Sequence, residues 1–123
     1  MAMTPMDLVA AAKQHVREVD ATQAQGLLGR VLVLDVREPA EYAAGCLPGA
    51  INIPRGVVEF QIGNHPAFHG KQNAEILVYC LSGGRSALAA ESLQKLGYTG
   101  LVSLAGGFKG WQEAGAPVTS PGA

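Results

Sequence analysis

The chain of 123 residues is 48% hydrophobic and 15% charged, which fits one folded domain and excludes disorder. A chain of this length buries roughly two-thirds of its unfolded surface, so its core needs neither disulfide nor metal. A net charge of −1 and an aromatic share of 6% leave no electrostatic or stacking footprint for nucleic acid.

The first element in chain order is a helix. Thr4 is placed to cap it, Pro5 occupies its first position and Asp7 the capping-box position, and the pattern runs to about His15. The opening stretch is not expected to be a leader sequence, because it has no basic segment and Asp7 interrupts the apolar one. No apolar run approaches the ~18 residues that span a bilayer, so no membrane partner is expected. Two cysteines, Cys46 and Cys80, are too few for a disulfide scaffold, and free thiols suit a reducing, cytoplasmic setting.

Val16 to Val19 reads as an edge strand, and Asp20 with Gln23 opens a second helix that ends near Gly29. Val31 to Asp35 is a continuous apolar run of strand length, the mark of a strand buried on both faces. Pro39 and Gly45 bracket a short helix, and a brief strand follows, closed by Pro54. Arg55 to Gly70 reads as a short helix followed by a loop. Glu75 to Tyr79 is a second buried strand, Arg85 to Leu96 a helix closed by Gly97, Leu101 to Leu104 a third strand, and Phe108 to Ala114 a final helix. Strands alternating with helices predict an α/β fold: a single domain over 1–123, with a mostly parallel central sheet and helices on both faces. The N-terminal helix takes up 1–15, and 118–123 forms a short tail.

Ligands in such folds bind beyond the carboxyl ends of the strands, where Cys80 stands. A cysteine at a strand end is ordinarily a small core residue. The segment that follows, Leu81-Ser82-Gly83-Gly84-Arg85-Ser86, argues for reaction instead. Glycines let successive N–H groups curl into an anion-binding nest, the helix beginning near Arg85 points its positive end at the sulfur, and Arg85 adds a cation. A helix terminus is worth only about 0.3–2 kcal/mol, so direct hydrogen bonds from the nest are expected to carry most of the thiolate stabilisation.

Val33 to Pro54, "VLDVREPAEYAAGCLPGAINIP", the loop "YCLSGGRS" and "LAGGFKGWQEAGAPV" (Leu104 to Val118) together resemble the signatures of the rhodanese family, in the family's order. That resemblance implies a rhodanese-like α/β domain acting as a sulfurtransferase. Cys80 would attack the outer sulfur of a donor such as thiosulfate and become a persulfide. A thiol, cyanide or a protein acceptor would then take the sulfur. The amides of Leu81, Ser82, Gly83, Gly84, Arg85 and Ser86 would cradle the persulfide, with Arg85 holding an anionic donor, and no cofactor is implied. One alternative is a rhodanese-like sulfur carrier or protein-binding module with little turnover. Another is a phosphatase or arsenate reductase of the same fold. Related phosphatases place five residues between cysteine and arginine, whereas Cys80 and Arg85 are separated by four.

Two positions depart from the family pattern. Cys46 stands where the family usually has histidine, and is either a packing residue or a resolving thiol for Cys80. Leu81 is apolar where many members carry a polar or basic residue, which shifts the expected donor from thiosulfate toward a larger sulfur carrier or a protein persulfide. Asp35, Arg37 and Glu41 form a candidate ion-pair and capping network that supports the site, since charges near a core must be paired. Arg55 is a candidate for steering anions. His65 and His69 are four apart, but no metal site is expected from them.

Overall fold

In the computed structural model, which describes residues 2–121, five short segments form one sheet in which every strand pairing is parallel. They are β1 (Arg17–Val19), β2 (Leu32–Asp35), β3 (Ile51–Asn52), β4 (Glu75–Tyr79) and β5 (Gly100–Leu104), in the spatial order β1-β5-β4-β2-β3. The central strand β4 is flanked on both sides, so both of its faces are apolar: Ile76, Val78 and Cys80 point to one layer, Leu77 and Tyr79 to the other.

The helices are α1 (Pro5–Lys13), α2 (Ala21–Gln25), α3 (Pro39–Ala43), α4 (Val58–Gln61), α5 (Gly84–Lys95) and α6 (Gly107–Glu113). Thr4 with Asp7 and Asp20 with Gln23 close the capping boxes expected of them. One layer packs α4 and α5 on the sheet through Val58, Ala89, Ala90 and Leu93, with α1 lying against α5. The other packs α2 and α6 through Ala24, Phe108 and Trp111.

Most boundaries shift by a single residue from the sequence reading, and three stretches differ by more. α1 stops at Lys13, before His15, and α2 stops at Gln25, with turns continuing to Gly29 at φ 81°. Arg55 to Asn64 is a chain of short turns, α4 lying between 3-10 segments at Arg55–Val57 and Ile62–Asn64. Each is too short to show a helical period in sequence. Of the tail expected over 118–123, Thr119 bridges Cys46, and residues 122–123, like Met1, lie outside the described residues. Among the described residues, no helix is long and apolar enough to cross a membrane.

Candidate active site

β4 delivers Cys80 to the carboxyl edge of the sheet, and the chain turns at once into α5. The turn depends on Gly83, whose φ of 105° favours glycine. This conformation aims its amide back at the cysteine, so that Gly83 N–H donates to Cys80 Sγ at 3.1 Å. Ser86 N–H, in the first turn of α5, donates to the same sulfur at 3.4 Å. The amides of Gly84 and Arg85 lie in that same first turn, where no intrahelical acceptor exists. The thiol donates to Ser86 Oγ at 3.6 Å, and Ser86 Oγ donates in turn to the Gly83 carbonyl at 3.2 Å. Cys80 is 1% exposed, whereas Leu81 and Ser82 are exposed on the loop's outer edge.

The loop is held from below by α6. Phe108 N–H donates to the Cys80 carbonyl at 2.8 Å and Lys109 N–H to the Leu81 carbonyl at 3.0 Å. Only a residue without a side chain allows this approach: a Cβ on Gly107 would sit 2.5 Å from the Leu81 carbonyl and 2.6 Å from the Cys80 oxygen. The glycine pair after β5 is therefore the seat of the Cys80 loop.

Arg85 is placed differently from the expectation that it holds a donor. Its guanidinium forks onto Glu41, with bonds of 2.9 and 3.1 Å. A planar fork matches a carboxylate in both shape and charge, and Glu41 is already oriented by accepting from Glu38 N–H at the start of α3. The hydrogen bond from Arg85 outweighs partial burial, which acts the other way, and holds the Glu41 carboxyl at about 2. The same bond raises Arg85.

Glu41 is thereby separated from Asp35 and Arg37, with which the sequence reading grouped it. Those two form a buried ion pair: Arg37 donates from Nη2 at 2.7 Å and from Nε at 3.1 Å, and also gives Asp35 its backbone N–H. Burial pulls Arg37 down, but the hydrogen bond and charge of Asp35 outweigh it, and its pKa is raised. Tyr79 gives its hydroxyl to Asp35 and is pushed upward, first by burial and then by that carboxylate's charge. The Arg37 guanidinium lies 4.3 Å from the centre of the Phe108 ring. The pair thus braces the residue whose amide holds the Cys80 carbonyl, from the layer opposite the sulfur.

The other candidates lie apart from the loop. Cys46 is 2% exposed and belongs to the layer of Leu77 and Tyr79, on the other face of the sheet from the layer that holds Cys80, so the structure does not bring the two thiols together. Burial pushes the Cys46 thiol up. Arg55 pairs with Glu59 at 2.9 Å and reaches Ser92, about 12 Å down α5 from Gly84 at 1.5 Å per residue. His65 and His69 spend their Nδ1 atoms on Ala67 N–H and the Gly63 carbonyl, and no cluster that could hold a metal occurs among the described residues.

Sequence reasoning missed Tyr79, Ser103 and the Glu41–Arg85 fork. For Ser103 a signal existed: a hydroxyl inside the apolar run of β5, buried on both faces, must find a partner. It finds Ser86 Oγ at 2.8 Å.

A family model, the Rhodanese-like domain, matches residues 16–114. A sulfurtransferase of Allochromatium vinosum is 33% identical over 91 residues, covering 74% of this chain and 80% of that protein. The human thiosulfate:glutathione sulfurtransferase is 36% identical over 94 residues, covering 69% of this chain and 82% of the human one. A solved structure from Rhodopseudomonas palustris, described as a protein of unknown function and possible tyrosine phosphatase, superposes with a TM-score of 0.85 at 28% identity, covering 97% of this chain and 96% of that one.

Proposed function

The chain belongs to the rhodanese-like domain family, and from that premise we propose that it transfers a sulfane sulfur through a persulfide on Cys80. In the first half-reaction the Cys80 thiolate attacks the outer sulfur of the donor. A bond forms between Sγ and that sulfur, and the donor's own S–S bond breaks, its electron pair leaving as sulfite when the donor is thiosulfate. In the second, a thiolate or cyanide attacks the outer sulfur, and Cys80 departs as thiolate, ready for another cycle.

The observation that carries this reading is the pair of amides, Gly83 and Ser86, converging on a buried Sγ at the end of the central strand. The first-turn amides of Gly84 and Arg85 remain as donors for the second sulfur. Shielding at 1% exposure suits a nucleophile that must carry an oxidisable sulfur. Free thiols at Cys46 and Cys80 suit work in the reducing cytoplasm.

The donor class follows from the mouth. Glu41 already neutralises Arg85, and Leu81, 42% exposed, adds apolar surface beside it. Both favour a larger persulfide, small-molecule or protein-borne, over the small dianion thiosulfate, with a thiol as acceptor. Phosphatase chemistry is disfavoured by the same pairing and by a loop of four residues between Cys80 and Arg85. The test is turnover with thiosulfate, with an alkyl persulfide and with an aryl phosphate, for wild type and Cys80→Ser. The reading predicts transfer from the persulfide at higher kcat/KM than from thiosulfate, abolished by Cys80→Ser. Cys80-dependent hydrolysis of the phosphate, without sulfur transfer, would overturn it.

A further inference from the structure

Behind the loop, on the side away from solvent, the sulfur is in contact with a chain of two hydroxyls. Ser86 Oγ has three neighbours: Cys80 Sγ at 3.6 Å, the Gly83 carbonyl at 3.2 Å and Ser103 Oγ at 2.8 Å. Both serines are completely buried. For Ser103, Ser86 Oγ is the side-chain partner that the geometry provides.

Ser103 is not needed to satisfy Ser86, because the Gly83 carbonyl already accepts from Ser86. Nor is a hydroxyl needed by the strand, whose neighbouring positions are Val102 and Leu104. What Ser103 adds is a second proton. While Cys80 is a neutral thiol, it donates to Ser86 Oγ, and Ser86 donates to Gly83. Once the sulfur is anionic it can only accept. Ser86 then has one proton to turn toward it, and its oxygen is free to accept from Ser103. A hydroxyl that accepts one hydrogen bond donates a stronger one.

We propose that Ser103 is a positioning residue for sulfur transfer, donating to Ser86 Oγ so that the Ser86 hydroxyl turns onto anionic Cys80 sulfur. Ser103 acts through Ser86 and touches no substrate. The proposal rests on the persulfide reading where transfer is concerned, but its effect on the bare thiolate does not.

The test is a double-mutant cycle on the full chain with Ser103→Ala, Ser86→Ala and both together. It is read by two rates at neutral pH: alkylation of Cys80 by iodoacetamide, located by peptide mass, and single-turnover transfer from an alkyl persulfide. Thermal unfolding checks that each variant folds. Ser103→Ala is expected to slow both rates about three- to tenfold, and to have no further effect once Ser86 is alanine. Wild-type rates in Ser103→Ala, or the full Ser103→Ala loss persisting in the Ser86→Ala background, would overturn the relay. An alkylation defect in a protein that accepts sulfur from no donor would keep the relay and sink the persulfide reading alone.

Discussion

Replacing Gly107 with alanine tests whether the Cys80 loop is seated by the start of α6. Gly107 has φ 57°, and the new Cβ would lie 2.5 Å from both the carbon and the oxygen of the Leu81 carbonyl. Clearing even 3.0 Å demands a movement of 0.5 Å, and the obstacle is backbone that no rotamer change relieves. The bonds from Phe108 to Cys80 and Lys109 to Leu81, now 2.8 and 3.0 Å, would stretch to the limit of hydrogen-bonding distance. The left-handed conformation costs alanine about 1–2 kcal/mol and the overpacking about 1–3, so the loss of stability is about 2–5 kcal/mol. For a domain of this size that lowers Tm by about 8–20 °C. Circular dichroism on heating measures it, with Gly110→Ala as the control of opposite sign. A Cβ there comes no closer than 3.9 Å to the Ala105 carbonyl, and alanine inside α6 is expected to add about 0.5–1 kcal/mol. A Gly107→Ala protein melting within about 2 °C of wild type would refute the seat.

Asp35→Ala strands the buried Arg37 guanidinium and is expected to cost about 3–5 kcal/mol, read from the urea midpoint; a loss below about 1 kcal/mol would show that Arg37 is not held by this pair. The Glu41–Arg85 fork gives a pH signature. Because Arg85 holds the Glu41 carboxyl at about 2 against an ordinary 4.5, the fork's contribution to stability is complete above 4.5 and is lost as pH falls from there through about 2. Carboxyl NMR should show Glu41 titrating near the lower value in wild type and near the upper one in Arg85→Ala. Unchanged titration would mean that Arg85 is not the cause.

The buried strands and the turn after Cys80 are plain in the sequence because both obey local rules. A strand buried on two faces has to be apolar throughout, as Leu77 and its neighbours are, and a turn that aims amides at a sulfur needs a residue such as Gly83. Pairings between distant residues are not written locally. Arg85 announces a cation, but the partner it takes, Glu41, depends on how α3 and α5 come together across the sheet edge. Cys46 is compatible in sequence with either packing or chemistry, and its place in the layer of Leu77 and Tyr79 depends on how the segment after α3 packs against the sheet, which no local pattern writes. Ser103, a hydroxyl in an apolar run, signals that a partner is needed but not which one, and the partner it takes on α5 is 17 residues away.

The central claim, that Cys80 carries the transferred sulfur, is tested most directly by the intact mass of the protein after brief exposure to thiosulfate or to an alkyl persulfide. A gain of about 32 Da is predicted, retained in Cys46→Ser, absent in Cys80→Ser and removed by cyanide. No gain from either donor, or a gain that survives Cys80→Ser, would contradict it.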